Sequence, residues 1–123
     1  MKNVFLFLLL LLFPYLLALS QQQNQQIIQE LITKAEENIK NSNFQEAIQN
    51  YSDAIKIDST NEKLYFLRGI AKFKYNDYYG AIKDYSQAIQ INPNFLEAYN
   101  NRGIVKRLVG DKRGAIRDYI ESI

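Results

Sequence analysis

Few residues in this chain have the types or spacing that a catalytic or metal-binding site requires. The 123-residue sequence contains no cysteine and no histidine, which excludes a thiolate nucleophile, an imidazole base, a disulfide and a Cys/His zinc site. Glu36 and Glu37 are adjacent carboxylates, but neighbouring residues of a helix point apart, so they cannot act as a general acid/base pair. No nucleophile elbow, Gly-rich phosphate loop or HExxH zinc motif occurs. The sequence therefore predicts a protein that is not an enzyme and that needs no metal and no cofactor.

Basic residues gather near the end of the chain and form a candidate nucleic-acid-binding surface, because lysine and arginine bind phosphate groups. The group comprises Arg102, Lys106, Arg107, Lys112, Arg113 and Arg117. Acidic side chains at Glu97, Asp111, Asp118 and Glu121 are interleaved with it, and the formal net charge of the whole chain is only +2. We therefore expect a solvated helical surface and no nucleic-acid partner.

Residues 1–20 have the composition of a secretory signal. Lys2 precedes an apolar run that begins at Val4, and Ala18-Leu19-Ser20 places small residues before a cut at Gln21. We expect this signal peptide to be cleaved and the remaining chain to be exported through the secretory pathway, to the periplasm or the outside. The alternative is a membrane anchor formed by residues 4–19, although a spanning helix needs roughly 20 apolar residues. The polar Gln/Asn-rich residues 21–27 are expected to form a flexible lead-in.

The rest of the chain repeats itself every 34 residues. Ala81-Ile82-Lys83-Asp84-Tyr85 returns as Ala115-Ile116-Arg117-Asp118-Tyr119, and Arg68-Gly69-Ile70 returns as Arg102-Gly103-Ile104. Residues 62–89 and 96–123 share 12 identities in 28 positions. The units predicted by this period are residues 28–61, 62–95 and 96–123, of which the last is incomplete.

Each unit has the pattern of two helices. In the middle unit, apolar residues recur at helical spacing before and after a polar turn at Asn76-Asp77. Asp77 stands where a helix N-cap belongs, and Asn43 and Asp111 occupy the same place in the other units. Asn43 followed by Glu46 predicts a capping box. The fold class predicted is all-α, an α-solenoid of antiparallel helix pairs with about three repeats.

These residues resemble the tetratricopeptide repeat (TPR) family, whose unit is also 34 residues long. The middle unit carries the small, aromatic and proline positions of that family as Tyr65, Gly69, Ala81, Tyr85, Ala88 and Pro93. The first unit departs from the family pattern at Leu31 and Ser59, and the third has Ser122 where alanine is usual. The resemblance implies that small residues let two helices approach closely and that Tyr51, Tyr85 and Tyr119 fill the space between successive pairs.

The resemblance also implies a function, since the family binds peptides or helices of partner proteins in a groove lined by the first helix of each unit. The predicted groove residues are Ile32, Glu36, Lys63, Phe66, Ile70, Phe73, Asn100, Asn101, Ile104 and Arg107. A subgroup of the family clamps the C-terminal carboxylate of heat-shock chaperones. The positions of its clamp hold Ile32, Glu36, Leu67, Glu97 and Asn101 here. None of them matches, and the two glutamates would repel a carboxylate, so that ligand is not expected.

Two further expectations concern how the helices pair and how the array ends. Arg68 and Asp84 are sixteen residues apart, as are Arg102 and Asp118, which predicts an ion pair between the two helices of each unit. The last helix is expected to leave apolar surface uncovered at Ile116, Tyr119, Ile120 and Ile123. Such a face favours either continuation of the array in a longer chain or a homo-oligomer, and self-assembly through this helix is the alternative to groove binding.

Overall fold

Helices make up nearly all of the chain, as the 34-residue period predicts. A computed structural model describes residues 1–123 and contains six α-helices and no strand. The helices are α1 Lys2–Lys40, α2 Phe44–Ile57, α3 Glu62–Lys74, α4 Tyr78–Ile91, α5 Leu96–Leu108 and α6 Lys112–Glu121. Each predicted unit supplies one antiparallel pair, and each pair packs on the next along the chain. The all-α solenoid is therefore confirmed.

The turn between the two helices of a pair has the same backbone geometry in every unit. Ser42, Asn76 and Gly110 lie 34 residues apart and have positive φ angles of 62°, 64° and 91°. Around Asn76, the Asp77 amide donates to the Lys72 carbonyl at 2.9 Å and the Asn76 amide donates to the Phe73 carbonyl at 3.0 Å. This is the Schellman ending, in which one left-handed residue turns the chain sharply out of the helix. Every second helix therefore starts immediately after the first ends.

The predicted helix caps form in two units of three. Asp77 accepts a hydrogen bond from the Gly80 amide at 3.0 Å, and Asp111 accepts one from the Gly114 amide at 2.9 Å. A Cβ atom on either glycine would overlap the capping carboxylate. The first unit has Glu46 at this place, and Asn43 makes no side-chain cap there. The capping box predicted for the first unit is thus absent.

Small residues and tyrosines form the core between the helices. Ala35, Ala47 and Ala81 are completely buried, and Tyr51 and Tyr85 are only 1% and 2% exposed. A Cβ atom added to Gly69 would lie 2.7 Å from Cε1 of Tyr85. Glycine at this position therefore lets the tyrosine ring of the second helix press against the backbone of the first.

The predicted ion pairs are present, and each belongs to a larger polar network. Nε and Nη2 of Arg68 on α3 donate to the two carboxylate oxygens of Asp84 on α4, both at 2.8 Å. Lys72 lies 3.0 Å from the same carboxylate, and Nη1 of Arg68 donates to the hydroxyl of Ser52 on α2 at 3.1 Å. The network thus joins the two helices of one unit and ties them to the preceding unit.

The same network recurs one period later with nearly identical geometry. Arg102 and Lys106 bind Asp118, and Arg102 reaches back to Ser86 at 3.0 Å. Burial opposes ionisation of Asp118, but the hydrogen bonds from Arg102 and Lys106 outweigh it and hold the pKa of that carboxyl below its usual range. The first unit replaces the charges by a hydrogen bond of 2.9 Å between Asn38 and Asn50.

Helix α1 differs from its expected form. Residues 21–27 were expected to be a flexible lead-in, but they lie inside one continuous helix that runs from the apolar N-terminal segment into the first unit. Glutamine is a good helix former, and no glycine or proline follows Pro14 within the helix. Ile28 is the first buried residue of α1, so the repeat core begins where the predicted first unit begins.

Candidate peptide-binding groove

Helices α3 and α5 lie side by side as the first helices of successive units, and a groove runs between them. An open pocket of about 240 Å³ occupies this α3–α5 groove. Ile70, Phe73 and Lys74 of α3 line one side, Asn101, Ile104 and Val105 of α5 line the other, and Tyr85 of α4 also contributes. The pocket is therefore apolar, with one amide and one lysine, and suits a single apolar side chain of a ligand.

Tyr85 adds a hydroxyl group to the polar atoms that Lys74 and Asn101 bring to this mainly apolar pocket. Its ring is fixed against Gly69 of α3 and packs against the ring of Phe66 at 5.8 Å between centroids, with the ring planes tilted by 47°. Burial, together with the negative charge of Asp84, raises the pKa of Tyr85 to about 12, even though Asn101 acts in the opposite direction. The hydroxyl is therefore neutral at physiological pH and is able to donate or accept a hydrogen bond.

A second open pocket of about 430 Å³ continues the groove toward the start of α5. Phe66, Ile70, Asn100 and Asn101 line it together with Leu96, Glu97 and Ser122. The two pockets share Ile70 and Asn101. The groove thus offers an apolar site next to a more polar one, which an extended or helical peptide with spaced anchors could occupy.

Phe66 was predicted to be an anchor for the ligand, and the structure places it mainly in the core. It is 8% exposed and packs edge-on against Phe95 at 4.8 Å between centroids. Its ring fills the space between the second and third units, so little of it faces the groove. Ile70 and Phe73, in contrast, are only partly buried and do line the pocket.

Six of the ten predicted groove residues therefore lie at the two pockets: Phe66, Ile70, Phe73, Asn100, Asn101 and Ile104. The other four line neither pocket. Ile32 is half-buried and packs against the core of the first unit, whereas Glu36, Lys63 and Arg107 are exposed to solvent. The two pockets accordingly centre on the second and third units.

Six pocket residues lie outside the predicted groove set, namely Lys74, Tyr85, Val105, Leu96, Glu97 and Ser122. Two of them, Tyr85 and Val105, belong to the core. Both occupy positions that pack between successive helix pairs, so the repeat pattern assigns them to the core, and they are indeed only 2% and 1% exposed. The remaining exposed atoms of each reach the pocket wall. A helical pattern shows which way a residue faces, but it does not show a gap between neighbouring helices through which a core side chain is reached.

Comparisons with known proteins agree with this architecture. The family model described as TPR repeat matches residues 39–75 and 71–108. No curated protein matches the sequence.

Among solved structures, the second TPR of Spaghetti (RPAP3) bound to the HSP90 peptide SRMEEVD is 28% identical to this chain. The alignment covers 84% of this chain and 94% of the Spaghetti domain, with a TM-score of 0.76. The first TPR of Spaghetti, bound to the same peptide, is 26% identical over 79% of this chain and 77% of its own, with a TM-score of 0.75. MamA has the same fold at 24% identity over 89% of this chain and 63% of its own, with a TM-score of 0.74. The repeated helix pairs, the spacing of their small residues and tyrosines, and these matches show that the chain belongs to the tetratricopeptide repeat family.

Proposed function

We propose that this chain is an exported, non-catalytic protein-interaction module that binds a segment of a partner protein in the α3–α5 groove. The observation that carries the proposal is the apolar pocket between Ile70, Phe73 and Ile104, with Tyr85 and Asn101 as hydrogen-bonding groups. The similar TPR domains of Spaghetti hold a peptide, which supports a peptide as the ligand class. Export rests on the signal-like composition of residues 1–20.

The ligand proposed for this groove is an internal apolar segment, and a chaperone tail does not fit it well. Glu36 and Glu97 are exposed, and they occupy positions where the chaperone-binding subgroup carries an asparagine and a lysine. Leu67, at a third clamp position, packs against the core of the first two units. A terminal carboxylate would thus meet like charges and an apolar side chain, whereas the pocket between Ile70 and Ile104 offers burial to an apolar side chain.

Peptide selection tests this proposal directly. Residues 21–123 are immobilised and used to select binders from a displayed peptide library, and the binders are then measured against two variants. Ile104→Glu places a charge on the pocket wall. Tyr79→Glu is the matched control, since Tyr79 is 75% exposed on α4 and lines neither pocket.

Burying one apolar side chain contributes about 1.5–3 kcal/mol, so Ile104→Glu is expected to weaken binding roughly ten- to a hundredfold. Tyr79→Glu is expected to leave the affinity unchanged. The synthetic peptide SRMEEVD serves as a comparator and is expected to bind worse than the selected peptides. Selected peptides that bind Ile104→Glu as tightly as the parent domain would contradict the proposed site.

A second function is favoured by a separate observation, the apolar face of α6. Ile116 and Ile120 are 58% and 62% exposed there. We propose self-assembly through this face as the alternative to groove binding. Light scattering at several concentrations tests it: a mass that rises with concentration in the parent domain and returns to the monomer value in Ile120→Lys supports self-assembly. A constant monomer mass eliminates it, and neither result depends on the groove.

A further inference from the structure

The first half of α1 stands apart from the folded repeats. Its large apolar residues between Val4 and Leu19 are between 44% and 68% exposed, and no residue before Ile28 is buried. Apolar side chains surround the helix completely, with only Pro14 and Ala18 between them. No face of this segment is polar.

A helix that is apolar on every side needs an apolar surrounding on every side. A partner helix or the groove of a protein would cover one face and leave the others in water. The hydrocarbon core of a bilayer covers all faces at once, and a helix pairs its backbone groups internally. Pro14 removes one of these hydrogen bonds, the one to the Leu10 carbonyl. Helix α1 also meets the length and composition criteria for crossing a membrane, which an N-terminal signal sequence meets as well.

The length of the segment fits a bilayer with little mismatch. Residues 4–19 extend about 24 Å at 1.5 Å per residue, compared with about 30 Å of hydrocarbon. No charged residue lies between Lys2 and Glu30, so uncharged flanking residues can enter the bilayer edge. Lys2 can extend its amine to the interface, as long basic side chains do at helix ends.

Continuity of the helix distinguishes an anchor from a cleaved signal. The small residues Ala18 and Ser20, before the expected cut at Gln21, lie within α1, and proteases bind their substrates as extended chain. We infer that residues 4–19 remain attached as a membrane anchor whose helix continues without interruption into the first repeat.

The orientation and height of the repeats above the bilayer follow from the same helix. Basic residues near a spanning segment stay on the cytoplasmic side, which places Lys2 inside and the repeats on the opposite face. Residues 20–27 form a polar helical stalk. From Leu19 to Ile28 the helix rises about 14 Å, enough to hold the first unit just beyond the lipid headgroups. The groove is thus presented outside the cell membrane at a fixed distance from it.

The full chain, expressed in a bacterial host that exports proteins, tests retention of the anchor. The measurement is the intact mass of the protein in the membrane fraction after an alkaline wash. An uncleaved chain that resists the wash is expected, and a soluble chain that begins at Gln21 would overturn the inference. Leu10→Lys, in the middle of the segment, is expected to reduce the membrane-bound fraction strongly. Gln23→Lys adds the same charge to the stalk and is the matched control that should leave it unchanged.

Orientation is tested with single cysteines, which is straightforward because the chain has none of its own. Asn3→Cys and Gln26→Cys flank the anchor, and intact spheroplasts are treated with a membrane-impermeant maleimide. Labelling of Gln26→Cys alone is expected, followed by labelling of both after the membrane is permeabilised. Labelling of Asn3→Cys alone in intact spheroplasts would overturn the orientation. Neither experiment involves the groove, so their outcome is independent of the proposed peptide binding.

Discussion

The buried carboxylate of Asp84 allows the sharpest test of how the repeats are held together. Its side chain is 3% exposed and faces Arg68 and Lys72, whose side chains remain 20% and 17% exposed. For an exposed pair, the sequence alone predicts a cost of no more than about 1 kcal/mol on removal. Breaking a buried pair costs 3–5 kcal/mol because a charge is left unpaired. Since both cations keep partial contact with water, we expect Asp84→Asn to lower the free energy of unfolding by about 2–3 kcal/mol.

The first unit supplies an internal control for this value. Its Asn38 and Asn50 form a hydrogen bond at the positions of Lys72 and Asp84. Lys72→Asn combined with Asp84→Asn should therefore recover part of the loss, because it removes one unpaired cation and recreates that hydrogen bond. Asp53→Asn is the surface control, since its partners Lys56 and Gln49 form exposed contacts and the Lys56 side chain is 75% exposed. It should change stability by about 0.5 kcal/mol or less.

Urea unfolding of residues 21–123, followed by far-UV circular dichroism at neutral pH, measures all of these variants. A change in the midpoint with an unchanged slope reports stability. If Asp84→Asn and Asp53→Asn have the same midpoint, the buried network does not stabilise the fold. If Asp84→Asn lowers stability but Arg68→Gln leaves it unchanged, pairing between these two residues is not the cause. If the double variant recovers nothing, the loss does not come from an unpaired cation.

Two further predictions follow from local geometry. Gly80→Ala should lower stability by up to about 1 kcal/mol, because its Cβ displaces the Asp77 cap, although alanine normally stabilises a helix by about 1 kcal/mol over glycine. Glu46→Ala is the control at the matching position without a side-chain cap, and it should not be destabilising. If urea unfolding shows that Gly80→Ala is stabilised, the cap is unimportant. Burial raises the pKa of both Tyr51 and Tyr85 to about 12, so the neutral phenol is favoured in the fold, and its stabilising effect is complete below pH 10 and lost as the pH rises toward 12. The urea midpoint should therefore fall over that range, and it should fall less in Tyr51→Phe; an equal fall in both proteins would show that Tyr51 is not responsible.

Most of the fold follows from the sequence because the repeat gives each position the same environment several times. The turn at Ser42, Asn76 and Gly110 illustrates both the success and its limit. The period predicts a turn at all three places, and all three adopt a positive φ. Glycine and, less strongly, asparagine indicate a left-handed backbone by residue type. Serine does not, and Ser42 adopts it because the helices on either side require the same sharp reversal.

The groove was less predictable because it depends on distances between helices. Ile70, Phe73, Asn101 and Ile104 follow from helical spacing, since a regular helix fixes which side each residue faces. The extent to which Phe66 is covered depends on its contact with Phe95, in the loop before α5. The spacing of residues within one helix does not predict a contact with a residue outside that helix.

The two ends of the solenoid differ in a way that restricts how copies could associate. Where α3 buries Leu64 and Ala71 completely against the preceding unit, α1 carries Glu30 and Glu37 at the matching positions, and both are exposed. The outer face of the first unit is therefore polar, whereas the outer face of α6 presents apolar side chains. Stacking one copy end to end on another would bury the two glutamates against that apolar face without partners, which is costly. Association of two copies of this chain through α6 therefore favours a symmetric pair of α6 faces over end-to-end stacking.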